Sequence, residues 1–248
     1  EARALAFHAA EVRTSQAGDP AAAVESWRAL IMRFGAARDA YAHYLPLLES
    51  ERKWPELAEA LTKDAELAGE DEQPEILARL GNVYLQRTRE TDLAIEAFKK
   101  ALDLDASEKT SRSTLEKLLL GAEHRLAAAG VLEPIYRGEQ NGQGLLRVLE
   151  IRAASSPIVQ DRLAAFEEAA RVAETVSEEK AVEIVSRALG EAVESAEPIA
   201  PWLEKFEKYG ASLDPKRRAA LLIKALGEKE IDSQELMGLA MRAGEESA

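Results

Sequence analysis

The stretch that decides the fold is EILARLGNVYLQRTRETDLAIEAFKKALDLDA, residues 75–106. Its apolar side chains recur at three- and four-residue steps, and this spacing predicts two amphipathic helices. Gly81 and Ala94 are small enough to let the two helices approach closely, whereas Tyr84 and Phe98 are large enough to fill the space beside the contact. We therefore expect an antiparallel helix hairpin.

Weaker copies of this pattern flank the hairpin on both sides. The copy that directly precedes it ends on Asp64, a charged residue where a small or apolar one is expected. The positions that carry the copies are Phe7, Ala10, Ala23, Trp27 and Leu30, then Tyr41, Tyr44, Leu57, Leu61 and Asp64, and then Ala165, Ala169, Val172, Ala181, Val185, Ala188 and Leu189. Repetition of this kind predicts hairpins that stack on one another, because no single hairpin can bury its own apolar face.

A longer period of 87–88 residues is also visible in the sequence. It predicts a super-repeat that combines one degenerate hairpin with one regular hairpin. The positions concerned are Leu57, Leu61, Leu77, Tyr84, Ala94 and Ala101, which recur as Leu145, Leu149, Ala165, Val172, Ala181 and Ala188.

Residues 75–106 resemble the tetratricopeptide repeat, whose signature is a large residue, Leu-Gly, Tyr, and then Ala, Phe, Ala and Pro. Two features depart from that signature. Ala106 stands where Pro is usual, and the turn around Thr88 to Thr91 is about one residue longer. The resemblance implies an all-α, right-handed α–α superhelix of antiparallel hairpins with an inner groove. A related α-solenoid and an irregular helical domain are the alternatives.

The resemblance covers most of the chain and predicts one solenoid over residues 1–248. Sub-arrays at 1–106 and 107–248 are possible, and Gly138 to Gly144 is the expected joint because it is rich in glycine. We expect about fourteen helices, with Gly35, Gly69, Gly130 and Gly210 at helix ends. Asp232 and Glu235 have the spacing of a helix capping box.

The amino-acid composition favours a helical fold and excludes several kinds of functional site. The chain has 248 residues, 46% of them hydrophobic but only 5% aromatic. Cysteine is absent, which excludes disulfides, Cys-ligated zinc and a thiol nucleophile. The formal net charge is −13, which argues against nucleic acid because phosphate binding needs a concentrated basic face. No run of about 18 apolar residues exists, so no membrane insertion is expected.

The expected compartment is the cytoplasm. The periplasm is the alternative, since the chain starts at Glu1 rather than Met and a targeting segment could have been removed.

The sequence contains no recognisable catalytic constellation. The three histidines are His8, His43 and His124. His8 and His43 lie in successive repeats and could approach each other, but they lack a third ligand and the His-Glu-x-x-His spacing of zinc enzymes. The glycine-rich segment Gly138 to Gly144 is followed by no Lys-Ser/Thr, so it is not a phosphate-binding loop. We expect no enzyme activity, no metal and no cofactor.

The resemblance places a binding groove along the first helix of each hairpin. The residues that it maps to this groove are Ala78, Asn82, Leu85, Gln86, His8, Val12 and Phe166. Asn82 matches a position where family members often hold a peptide backbone. Ala78 replaces the Lys of the clamp for acidic C-terminal tails, so a chaperone-tail receptor is not expected.

The function expected from these features is a scaffold that binds a protein or peptide segment, as part of a larger multi-repeat protein. Two alternatives remain: a pentatricopeptide-like nucleic-acid binder and the regulatory arm of a truncated enzyme. Trp27, Trp54 and Trp202 are expected to fill gaps between hairpins rather than contact a ligand.

Overall fold

The computed structural model describes residues 1–16 and 19–226, and every regular element in this part of the chain is helical. The all-α prediction is therefore confirmed. Thirteen helices lie within these residues: α1 (Ala2–Gln16), α2 (Pro20–Phe34), α3 (Arg38–Ser50), α4 (Trp54–Leu67), α5 (Gln73–Val83), α6 (Thr91–Leu104), α7 (Lys109–Leu118), α8 (Arg125–Gly138), α9 (Gly142–Ser155), α10 (Val159–Glu174), α11 (Glu178–Glu194), α12 (Ala200–Gly210) and α13 (Pro215–Leu226).

The chain is divided into two compact units, and the boundary between them follows His124. Unit 1 contains α1 to α7, and unit 2 begins with α8. In each unit the helices pack mainly on their neighbours in the sequence, as α5 does on α6 and α9 on α10. This is the packing expected of a helical repeat array.

The boundary between the units lies after α7, whereas the sequence suggested sub-arrays that meet at residue 106. The expected joint from Gly138 to Gly144 lies inside unit 2, where it links α8 to α9. These two helices pack directly on each other. Asn141 caps α9, since its side chain accepts a hydrogen bond of 3.0 Å from the Gly144 backbone N–H. The glycine-rich segment is thus an ordered turn with a capped helix start.

The contact between α5 and α6 has the geometry predicted from their sequence. Gly81 and Phe98 are both buried. A Cβ atom added to Gly81 would lie 2.5 Å from the Phe98 ring. The missing side chain of Gly81 is therefore what allows the ring of Phe98 to lie against the backbone of α5.

The super-repeat is confirmed by the helix boundaries. Helix α4 runs from residue 54 to residue 67, and α9 runs from 142 to 155, so both ends are displaced by 88 residues. Helices α3 and α8 also end 88 residues apart, at 50 and 138. The turns that follow α3 and α8 each contain a residue with a φ of 55° at the equivalent position, Arg52 and Gln140. Backbone geometry therefore repeats along with the apolar pattern.

Helix ends follow the expected glycines in part. Gly35, with φ of 88°, lies directly after α2, and Gly210 is the last residue of α12. Gly130 was expected at a helix end, but this prediction is wrong because it lies inside α8. The apolar residues around it, Ala128, Ala129 and Leu132, are buried and continue the helix on both sides. Asp232 and Glu235 lie outside the described residues.

No helix in the described part of the chain is both long and apolar enough to span a bilayer.

Candidate functional site

The residues mapped to the groove differ in accessibility. Gln86 and His8 are exposed, and Asn82, Leu85 and Val12 are partly exposed. Ala78 and Phe166 are buried at 2% and 4% exposure, so their side chains serve helix packing in this structure. Asn82 and Gln86 are close neighbours, since the Gln86 amide donates a hydrogen bond of 3.4 Å to the Asn82 side-chain oxygen. Phe166 belongs to unit 2 and the other six residues to unit 1.

Helix α5 ends in a π-helical turn, Tyr84–Thr88, which includes two of the groove residues, Leu85 and Gln86. The turn closes at Arg89, whose φ is 65°, and the Glu90 backbone N–H donates a hydrogen bond of 2.9 Å to the Tyr84 carbonyl. Single π-helical turns inside α-helices are rare and frequently mark functional sites.

The π-helical turn accommodates one extra residue. Before it, equivalent positions of the super-repeat lie 88 residues apart, as Gly81 and Ala169 do; after it they lie 87 apart, as Phe98 and Val185 do. The sequence placed this additional residue in the turn around Thr88 to Thr91. The structure places it one turn earlier, within the π-helical turn that contains Leu85 and Gln86.

Deleting Gln86 is expected to convert the π-helical turn into an α-helical one with little effect on folding. The buried residues on both sides would keep their contacts, because the equivalent hairpin of unit 2 has one residue fewer at this point. We expect the thermal midpoint, followed by circular dichroism, to change by only a few degrees.

The matched control is deletion of Glu96, an exposed residue of α6. This deletion rotates either Ile95 or Phe98 by about 100° relative to the core, because a residue contributes that angle in an α-helix. This control deletion should lower the free energy of unfolding by several kcal/mol. Equal losses in the two deletion variants would show that the π-helical turn is not an insertion.

An aromatic cluster joins α1, α2 and α3. The rings of Trp27 and His43 are stacked with centroids 4.8 Å apart, and Phe7 contacts Trp27 edge-on at 4.9 Å. His8 and His43 share one carboxylate neighbour: Glu11 lies 3.6 Å from Nδ1 of His8 and 4.0 Å from Nε2 of His43. No cluster of three or more potential ligands in the described residues has the arrangement of a metal site.

Asp64, the charged residue at an apolar position of the repeat, is paired with an arginine. It is 6% exposed, and its carboxylate lies 3.2 Å from the Arg38 guanidinium, which also pairs with Glu72 at 2.7 Å. Burial raises the pKa of Asp64, and the attraction of Arg38 opposes this rise without cancelling it. The departure from the repeat pattern is therefore a buried carboxylate paired with a partly exposed arginine.

A recess of about 420 Å³ lies in unit 2 between α10 and α12, both of which pack on α11. Glu167 and Lys205 form an ion pair of 2.7 Å across it, and Glu174 and Lys208 a looser one of 3.8 Å. Ala170, which lines the recess, is the residue 88 positions after Asn82. The recess therefore occupies the place in unit 2 that corresponds to the predicted groove position in unit 1.

A second recess lies in unit 1 between α2 and α4, with α3 as its floor. At one end Arg28 donates three hydrogen bonds of 2.6 to 2.8 Å to the carboxylate of Glu56, and Tyr44 donates a fourth. Burial raises the pKa of Glu56, but the hydrogen bonds from Tyr44 and Arg28 outweigh burial and leave it below its ordinary value. Glu56 is thus held as a carboxylate near neutral pH.

The sequence analysis did not identify this second recess. Its walls come from the second helices of two hairpins, and the groove was expected only along the first helices. A comparison with models of protein families finds no match for the chain, and a comparison with curated proteins finds none either.

Proposed function

We propose that the chain is a tetratricopeptide-like, non-enzymatic interaction module, with its hairpins arranged in a right-handed superhelix. The first helices of its hairpins hold a protein or peptide segment, and the chain serves as a scaffold within a larger assembly. The observation that carries this proposal is the hairpin array itself, with Gly81 against Phe98 at the positions of the repeat signature.

The surface of the first helices suits a peptide partner. Asn82 in α5 and Gln86 in the π-helical turn that follows present neighbouring amides. A side-chain amide both donates and accepts hydrogen bonds, so it can pair with the N–H and C=O groups of an extended backbone. The corresponding place in unit 2 is concave and charged, which suits ionic contacts with a peptide.

Replacing Asn82 and Gln86 together by alanine should reduce partner capture while leaving the fold intact. The measurement is quantitative affinity capture from an extract of the source cells, followed by mass spectrometry. We expect the principal captured proteins to fall at least fivefold, since two hydrogen-bonding amides of the binding surface are removed.

The control is the double variant Gln140→Ala and Gln143→Ala, which removes two exposed amides at the α8–α9 turn. It should capture the same proteins as the unmodified chain. If the Asn82/Gln86 variant also captures them undiminished, the assignment of the groove to the first helices is wrong.

A further inference from the structure

The recess between α2 and α4 has the size and lining of a binding pocket. Its volume is about 360 Å³, within the range of clefts that hold ligands. The ring of Tyr41 forms part of its floor and is 3% exposed, and Ala60 belongs to the wall from α4. The opposite wall is formed by Ile31 and Met32 of α2. Most of this lining is apolar, with polar groups at defined points.

Met32 is the most exposed large apolar side chain in the described residues, at 81%. A methionine at the edge of an apolar recess can adapt to side chains of different shapes, because it is unbranched and polarisable. Its exposure costs free energy that binding would recover. The recess can therefore accept one apolar side chain from outside.

Two cations that line the recess have close ion-pair partners, whereas one of its carboxylates has none. Arg28 pairs with Glu56, and Lys63 pairs with Glu66 at 2.9 Å. Glu59, which also lines the recess, is exposed. It has no hydrogen bond and no close ion-pair contact in the described part of the chain, although its charge acts at longer range on Lys63, one helical turn along α4. The cations at this surface are thus neutralised, and one carboxylate remains free to pair with a partner.

We propose that this recess binds a protein segment that inserts an apolar side chain between Met32 and Tyr41 and places a Lys or Arg against Glu59. The carboxylate of Glu59 argues for a basic partner rather than an acidic one. The net charge of −13 also favours a positively charged partner. The walls of the recess come from second helices and its floor from α3, and none of the residues mapped to the groove of the proposed function lines it. The proposal for the recess and the proposal for the groove can therefore be tested independently.

The test starts from a phage-displayed library of random 12-residue peptides selected on the immobilised chain. Enriched peptides should combine a large apolar residue with a nearby Lys or Arg. The affinity of a synthetic copy is then measured by fluorescence polarisation. We expect Met32→Gln and Glu59→Lys each to weaken it at least tenfold. Selection on the Glu59→Lys variant should enrich acidic residues instead.

Matched controls are Ile223→Gln and Glu204→Lys, which make the same kinds of change at exposed positions of α13 and α12. They should leave the affinity within twofold. Circular dichroism verifies that all four variants are folded.

Three outcomes would overturn the inference. In the first, the enriched peptides carry no basic residue, or the library yields none. In the second, they bind Met32→Gln and Glu59→Lys as well as the unmodified chain but lose binding in the Asn82/Gln86 variant, which supports the groove instead. In the third, sedimentation shows self-association that Met32→Gln abolishes, which makes a second copy the occupant.

Discussion

Replacement of Trp27 by alanine is expected to destabilise unit 1 by about 3–5 kcal/mol, the usual cost of removing a buried tryptophan. Its side chain is fully buried and stacks on His43, and its indole N–H donates a hydrogen bond of 2.9 Å to the Thr14 hydroxyl. Because Trp27 contacts both α1 and α3, the loss should loosen the contact between the first two hairpins.

Urea unfolding followed by circular dichroism at 222 nm measures the loss of unfolding free energy. Hydrogen exchange shows which helices become less protected. We expect faster exchange in α1 to α3 and unchanged exchange in unit 2.

Trp54 provides the control for this prediction. It is only partly buried, and the Arg87 guanidinium lies 4.7 Å from the centre of its ring. Trp54→Ala should cost about 1–2 kcal/mol, because less apolar area and one exposed cation–π contact are lost. If it cost as much as Trp27→Ala, the aromatic cluster around Trp27 would have no special role in joining the hairpins.

The second large effect is expected at the contact between α5 and α6. Gly81→Ala places a methyl group 2.5 Å from the Phe98 ring, and such overpacking costs about 1–3 kcal/mol. This loss appears although alanine is the better helix former. The control is Gly130→Ala, where no atom lies within 4 Å of the added Cβ. There the helix propensity acts alone and should stabilise the protein by up to about 1 kcal/mol.

A double-mutant cycle distinguishes a steric clash from a backbone effect. In the equivalent hairpin of unit 2, Ala169 and Val185 stand where Gly81 and Phe98 stand in unit 1, and both are buried. Phe98→Val alone should destabilise by leaving a cavity. Combined with Gly81→Ala, it should cost less than the two changes summed, by about 1–3 kcal/mol. Strict additivity in urea unfolding would contradict the direct contact.

Much of the fold could be predicted from the sequence because its signals are local. Helix periodicity over 10 or more residues identifies amphipathic helices, and the repeat of 87–88 residues correctly paired α4 with α9. Predictions made from single residues did less well. Gly130 lies inside α8, because a helical glycine needs no positive φ and neighbouring burial decides whether the helix continues.

The candidate sites were less predictable because they depend on which side chains meet. Asp64 looked like a defect in the repeat until its pairing with Arg38 was visible. Phe166 and Ala78 were placed in the groove, yet the structure buries both. The free carboxylate of Glu59 has no sequence signal, since only the positions of all surrounding cations show that it is unpaired.

By itself the amino-acid sequence determined the helices, their order in hairpins and their repetition, because these follow from the spacing of small, large and apolar residues along the chain. Only the tertiary structure decided where the extra residue of α5 is accommodated, which charges are neutralised and where a recess opens. The pairing of Arg28 with Glu56, for example, depends on the distance between residues that lie 28 positions apart. A linear pattern carries no information about such distances until the helices are packed.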